Sequence, residues 1–189
     1  MIIYNTEEIN IREHRLIDAI KNGRLFIYPT DTIYGVGCNA KNSKSVQKIR
    51  QLKERPANPF SVIAPSVGWI KENCQVNSEA EEWLKKLPGP YTLIMNLKKR
   101  ECISKEVNSG IETIGVRIPD HWISKLLANA NVPFVTTSVN KSGQEFMTSL
   151  EDLNDEIKQG VDFVLYEGKK EGKPSKIVDL TGKIKMIER

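Results

Sequence analysis

The sequence predicts a mixed α/β domain, and two observations carry that prediction. Strand-like and helix-like segments alternate along the chain, the pattern of a sheet flanked by helices. Some connections, such as Thr181-Gly182-Lys183, are too short for a parallel crossover, so antiparallel pairs are expected in the sheet. With 189 residues, of which 39% are apolar and 28% charged, the chain is expected to form one domain over residues 1–189 with a core that needs no staples.

The elements follow in order. Residues 11–22 place Leu16, Ile17 and Ile20 at helical spacing before Gly23, a natural helix stop. Residues 25–28 form a short apolar strand that ends at Pro29. Ser43 can cap a helix running to about Lys53, with Val46, Ile49 and Leu52 on its buried stripe. Residues 61–64 read as a strand. Ser78 opens a helix carrying Ala80, Trp83, Leu84 and Leu87, stopped by Pro88-Gly89-Pro90. Strands follow at 92–97 and 113–118, and Pro119 suits the first turn of a helix that packs Trp122, Ile123, Leu126 and Leu127. The polar stretch 98–111, with a turn at Asn108-Ser109-Gly110, reads as a mobile loop. Residues 134–137 are a strand, and Ser149 with Asp152 resembles a capping box for a helix ending near Gly160. Residues 163–165, 177–178 and 184–187 are three further strands.

Composition excludes several classes. Cys38, Cys74 and Cys102 are odd in number, far apart and without C-x-x-C spacing, which supports neither a disulfide framework nor a zinc site. With only His14 and His121, a histidine-rich metal site is not expected. A reduced, cytoplasmic setting is the simplest expectation. The first residues carry no basic region followed by an apolar stretch, so no secretory signal is expected. No apolar run approaches the roughly 18 residues that span a bilayer. The net charge of +4, with lysines concentrated after residue 168, permits a polyanionic ligand or RNA without demanding one.

Two phosphate-binding look-alikes fail on context. Gly35-Val36-Gly37-Cys38-Asn39-Ala40 matches G-x-G-x-x-A, but the following helix ends in Lys-Glu-Arg-Pro, where a dinucleotide fold needs a parallel strand ending in an acid. The run from Gly168 to Ser175 is one residue short of a P-loop, and Pro174 separates Lys173 from Ser175.

Two polar clusters are more informative. Lys53-Glu54-Arg55-Pro56 and Ser138-Val139-Asn140 lie some eighty residues apart. Pro56 disfavours helical dihedrals at Arg55, and in extended chain alternate residues share a face. Lys53 and Arg55 are therefore expected to project two cations together, and Ser138 and Asn140 two hydrogen-bonding groups, an arrangement suited to a nucleotide triphosphate. The plainer alternative is a solvated helix end. Residues 28–37 add two threonines, a carboxylate and a phenol beyond a strand, where sites in α/β proteins often form, or an ordinary turn.

Taken together, the segments resemble the YrdC/TsaC family, the threonylcarbamoyl-AMP synthases. The matching stretches are P-T-D-T-I-Y-G at 29–35, K-E-R-P-A-N-P-F at 53–60, P-G-P-Y-T-L-I at 88–94, T-I-G-V-R-I-P-D-H at 113–121, T-S-V-N-K-S-G at 137–143, S-K-I-V-D at 175–179 and the final Arg189. The resemblance implies a twisted, open, mixed parallel and antiparallel sheet with flanking helices and a positively charged concave face. It implies a single-domain nucleotidyltransferase that joins L-threonine, bicarbonate and ATP into L-threonylcarbamoyl-AMP and pyrophosphate. The product would feed threonylcarbamoylation of tRNA position 37 with partner transferase proteins, and weak contact with tRNA is compatible with the charge. By matching position, Lys53 and Arg55 are the catalytic phosphate-holding pair, with Ser138 and Asn140 completing their pocket. Asn58, Thr113, Thr136 and Arg189 belong to the ATP site. Thr32, Tyr34, Arg117 and Ser175 belong to the threonine site, Arg117 as carboxylate clamp. Mg²⁺ would travel with the nucleotide, without a dedicated protein cage.

The chain departs from the family pattern at three points. The spacing R-P-A-N-P is short, the strand at 61–64 lacks a histidine that approaches threonine in many members, and Phe146-Met147 replaces small residues and proline. Two rival readings are a non-catalytic RNA-binding module and a carbamoyl-transferring relative of the kind found in hydrogenase-maturation proteins. The module predicts a basic stripe and salt-sensitive RNA affinity, and the relative predicts extra domains.

Overall fold

The computed structural model of the chain describes residues 1–187. The strands are β1 (Ile2–Tyr4), β2 (Phe26–Tyr28), β3 (Gly35–Gly37), β4 (Ser61–Ile63), β5 (Tyr91–Asn96), β6 (Thr113–Arg117), β7 (Phe134–Ser138), β8 (Phe163–Leu165), β9 (Lys176–Asp179) and β10 (Lys185–Ile187). The helices are α1 (Thr6–Ile11), α2 (Glu13–Lys21), α3 (Ser43–Leu52), α4 (Val67–Asn73), α5 (Ser78–Leu84), α6 (Lys105–Asn108), α7 (Trp122–Ala130) and α8 (Asp155–Gly160). The strands form one sheet in the order β1-β8-β2-β3-β7-β4-β6-β5-β9-β10. β1/β8, β8/β2, β4/β6 and β5/β9 pair in parallel and the other neighbours antiparallel, including β9/β10 across the short 180–184 connection. The sheet is mixed, as the short connections predict.

Strand periodicity explains where a site can form. One face carries Ile27, Val36, Val62, Leu93, Val116, Val135, Val164 and Val178, packed with Val46 and Ile49 of α3, Ile70 of α4, Leu84 of α5 and Ile157 of α8. The opposite face is apolar only where α1, α2 and α7 cover it, through Phe26, Tyr28, Ile63, Phe134, Phe163 and Leu165. Register places Ser61 opposite both Gly115 and Thr136, and Ser138 opposite Gly35. Alternation adds Arg117 and Thr92 to that same face. The uncovered half of the second face therefore sets hydroxyls, glycine and a guanidinium beside the half-buried Ile94 and Ile177.

Several expected elements are displaced. β1, β3, α1 and α4 are additional, and the G-x-G-x-x-A run opens with β3, antiparallel to both neighbours. An ideal Cβ at Gly37 would lie 1.9 Å from the Val135 carbonyl oxygen, so the glycine serves close strand approach rather than a pyrophosphate. The caps of α3 and α5 are Asn42 and Asn77, one residue ahead of the serines. Pro119 precedes α7, whose cap is His121; its Nδ1 accepts from the Ile123 N–H at 3.4 Å. Ser149 and Asp152 do not open a helix. Backbone and hydroxyl groups of Thr148 and Ser149 donate to the Asp152 carboxylate, and α8 starts later under an Asn154 cap. The 98–111 stretch is not a bare loop: it folds into a 3-10 turn (Arg100–Cys102) and α6, burying Cys102, Ile103 and Val107. Cys38, Cys74 and Cys102 are buried free thiols.

Candidate active site

A cavity of about 290 Å³ opens on the polar half-face. It is bounded by the 30–35 segment, Arg55, the Pro59-Phe60-Ser61 entry to β4, Thr92, Arg117, the 136–138 end of β7, and Pro174-Ser175 ahead of β9. Two guanidinium groups and a set of hydroxyls line it, with no carboxylate among the lining residues. A second cavity of about 810 Å³ adjoins it and shares Pro174 and Ser175. Phe146, Met186, Ile187, Lys173 and Lys176 complete its walls, an apolar floor edged by two ammonium groups.

Arg117 anchors one end. It is 5% exposed, and its Nη2 pairs with the Asp31 carboxylate, whose other oxygen accepts from the Asp120 N–H at 3.1 Å. Both its Nη1 and Nη2 lie 3.4 Å from the Thr32 hydroxyl. Thr30 shapes the turn: its hydroxyl donates to the Ile33 carbonyl at 2.7 Å and accepts from the Thr32 N–H at 3.2 Å. The 30–34 segment has the bonding of an ordinary turn, and its Thr30, Ile33 and Tyr34 line the cavity. Tyr34 donates to the Gly168 carbonyl at 2.7 Å and accepts from the Glu167 N–H at 3.1 Å. Burial pushes its pKa up to about 12, so the phenol stays a donor. Gly172 lies so close that a Cβ there would sit 2.0 Å from the Thr32 carbonyl oxygen. The 167–175 run thus packs on Tyr34 and Thr32 and ends in Pro174 and Ser175, which line the cavity. Ser175 meets Thr92 hydroxyl to hydroxyl at 2.8 Å. Glu167 ties this run to α7, accepting from His121 Nε2 at 3.0 Å and Trp122 Nε1 at 2.8 Å.

At the other end the two clusters do meet, but not as two parallel cations. Lys53 caps α3 in helical geometry and Glu54 turns left-handed at φ 51°, so the segment is not extended. The constraint from Pro56 acts on Arg55 alone. Lys53 is 2% exposed and turns inward, donating to the carbonyls of Ser138 and Asn140 at 2.6 Å each and to Asn140 Oδ1 at 2.9 Å. The Ser138 hydroxyl donates to the same Asn140 Oδ1 at 2.6 Å. Arg55 lines the cavity and donates to the Pro59 carbonyl at 3.0 Å. The ammonium of Lys53 therefore shapes the Ser138–Asn140 bend, while Arg55 faces the cavity.

Desolvation, helped by the Arg55 charge, draws the Lys53 pKa down from 10.5 to about 7. Below that value three oxygens, one for each N–H of an ammonium, hold its proton. Between pH 7 and 10.5 the unfolded chain binds this proton more tightly than the fold does. Stability from Lys53 therefore rises with pH across that window. Lys53→Met is expected to remove the rise and to cost about 1–3 kcal/mol through stranded carbonyls. Urea midpoints of both proteins at pH 7 and pH 10 check this, and equal slopes would refute the lowered pKa.

Of the residues expected from the sequence, Tyr34, Arg55, Arg117, Thr136, Ser138 and Ser175 line the cavity. Thr32 reaches it through Arg117, and Lys53 and Asn140 stand behind Ser138. Asn58 is exposed and Thr113 begins β6, and neither is among the lining residues. Arg189 lies outside the described residues. Thr30, Ser61, Thr92 and Thr137 also line the cavity. Single strand hydroxyls carry no local signature, and only the register reveals them. Among the described residues no cluster of three or more His, Cys, Asp or Glu could hold a metal, and no helix is long and apolar enough to cross a membrane.

An open α/β sheet with an arginine-and-hydroxyl cavity on its half-covered face is the class of domain that the fold and the cavity define. Comparison with known proteins narrows that class. The Sua5/YciO/YrdC family model, described as telomere recombination, matches residues 18–189. A Methanocaldococcus jannaschii protein, named provisionally as a threonylcarbamoyl-AMP synthase, is 40% identical over 181 residues, 92% of this chain and 84% of its own length. The Pyrococcus abyssi threonylcarbamoyl-AMP synthase is 32% identical over 95% of this chain, which spans only 54% of that protein. The crystal structure of P. abyssi Sua5 complexed with L-threonine superposes with a TM-score of 0.86 at 28% identity, covering 96% of this chain and 54% of that one. The chain belongs to the Sua5/YciO/YrdC family.

Proposed function

We propose that the chain synthesises L-threonylcarbamoyl-AMP and pyrophosphate from L-threonine, bicarbonate and ATP. The observation that carries the reading is the cavity in which Arg55 and Arg117 stand among hydroxyls, with Arg117 also paired to Asp31. Arg117, held by Asp31 and Thr32, clamps the threonine carboxylate, with Ser175 and Tyr34 as the neighbouring walls. Arg55, Thr136 and Ser138 take the triphosphate, and Lys53 and Asn140 hold Ser138 in place. The adenosine fits the adjoining cavity, its base on Phe146, Met186 and Ile187. Threonine amine and bicarbonate condense to a carbamate with loss of water. A carbamate oxygen then attacks the α-phosphorus as the bond to pyrophosphate breaks. Such a transfer rests on positioning and charge neutralisation, which this lining supplies. Lacking a carboxylate, the lining offers no cage for Mg²⁺, so the cation enters as part of the nucleotide substrate. The product passes to a tRNA-modifying transferase.

Pyrophosphate release by the purified chain tests this directly. Release is expected to need ATP, threonine and bicarbonate together. Release indifferent to threonine, or none at all alongside tight salt-sensitive RNA binding, would sink the synthase reading.

A further inference from the structure

We propose that Arg50, which does not line the cavity, is the positioning residue that sets Arg55 in it. The inference rests on the reading of Arg55 as a triphosphate ligand. The segment from Glu54 to Pro59 has no strand or helix partner, and Pro56 and Pro59 bring no N–H of their own. Its carbonyls need donors, and one guanidinium supplies them. Arg50 Nη1 reaches the carbonyls of Arg55 at 2.8 Å, Pro56 at 3.3 Å and Asn58 at 3.1 Å. Its Nε donates to the Glu106 carbonyl at 2.6 Å, and its Nη2 to the Val107 carbonyl at 3.2 Å. The backbone closes the same ring, since the Arg55 N–H donates to the Arg50 carbonyl at 3.0 Å.

The acceptors belong to two bodies, the 55–58 loop and α6, so Arg50 rivets one to the other. Ser109 adds a bond to the Ala57 carbonyl at 2.6 Å, and Val107 takes the Phe60 N–H at 2.8 Å. Both Arg50 and Arg55 stand over the Phe60 ring, at 4.5 and 5.4 Å from its centroid. Among the described residues no carboxylate lies within 4.0 Å of Arg50; its hydrogen bonds go to neutral oxygens, and the Glu106 charge acts on it from farther away. Desolvation accordingly lowers its pKa. A lysine has three donors around one point and cannot span this fork. The stretch 98–111 is then the buttress of the phosphate end of the site.

The test compares Arg50→Lys and Arg50→Met with the wild-type chain by calorimetric titration of a non-hydrolysable ATP analogue and, separately, of L-threonine. Both variants are expected to lose at least about tenfold in analogue affinity while threonine affinity stays within about twofold. Hydrogen exchange is expected to quicken in the peptide covering 53–60. Analogue affinity within about twofold of wild type in Arg50→Lys would overturn the proposal, as would equal losses for both ligands. If Arg50→Met fails to fold, Arg50→Lys decides alone. A wild-type chain that binds the analogue but releases no pyrophosphate would overturn the synthase reading only. One that binds no analogue would overturn both.

Discussion

Replacing Arg117 by glutamine is expected to cost the fold about 3–5 kcal/mol and to abolish threonine binding. The stability loss follows from what is left behind. Asp31, whose side chain is 10% exposed, would keep a buried charge with its cation gone. Adding Asp31→Asn removes that stranded charge, so the double variant is expected to recover much of the lost stability without recovering threonine affinity. Urea midpoints and calorimetric threonine titrations of both variants separate the two effects. A single variant within about 1 kcal/mol of wild type would refute the buried-pair argument. A double variant that binds threonine normally would refute the clamp.

Arg55→Ala is the converse case, with a large effect on turnover and little on the threonine end. Removing a preorganised charge from a developing phosphoryl transition state is expected to slow pyrophosphate release by about 10²–10³-fold. Threonine affinity should hold, because Arg117 sits on β6 and meets Thr32, whereas Arg55 lies on the loop leading to β4. Arg55→Lys should recover part of the rate, since it keeps the charge but loses the planar fork. Steady-state release with saturating threonine checks both. Equal loss of threonine binding in Arg55→Ala would mean that the cavity is one indivisible site and that the division of roles is wrong.

The sequence made the alternation of elements, the mixed sheet and six of the cavity residues readable, because helical periodicity and the family motifs are local signals. Its failures have local causes too. β3 is Gly-Val-Gly, a composition poor in strand formers, and it exists because antiparallel neighbours hold both sides. Lys53 points inward because Glu54 takes a left-handed turn that no motif announces. Ser61 joins the site through register with Thr136, and Thr92 through a hydroxyl contact with Ser175, 83 positions away in sequence. Arg50 lies on the predicted α3, yet nothing in its spacing shows that it collects the carbonyls of the next loop. Asp152 sits at capping-box distance from Ser149 but accepts from a turn, since a motif of two polar residues fits either geometry.

The run at 167–175 has a bearing on biosynthesis. A nascent polypeptide synthesised only to residue 174 already holds Arg55, Ser138 and Arg117, yet it lacks Ser175 and the strand β9 that pairs with β5. The cavity has no wall beside Thr92 in such a chain, and the β5 edge lacks its β9 partner. Long-range pairings of this kind form late. Ribosome-bound intermediates can therefore hold Arg55, Ser138 and Arg117 before Ser175 is present to close the cavity beside Thr92. The cavity becomes walled on that side, and the β5 edge covered, only when the last segment of the chain arrives.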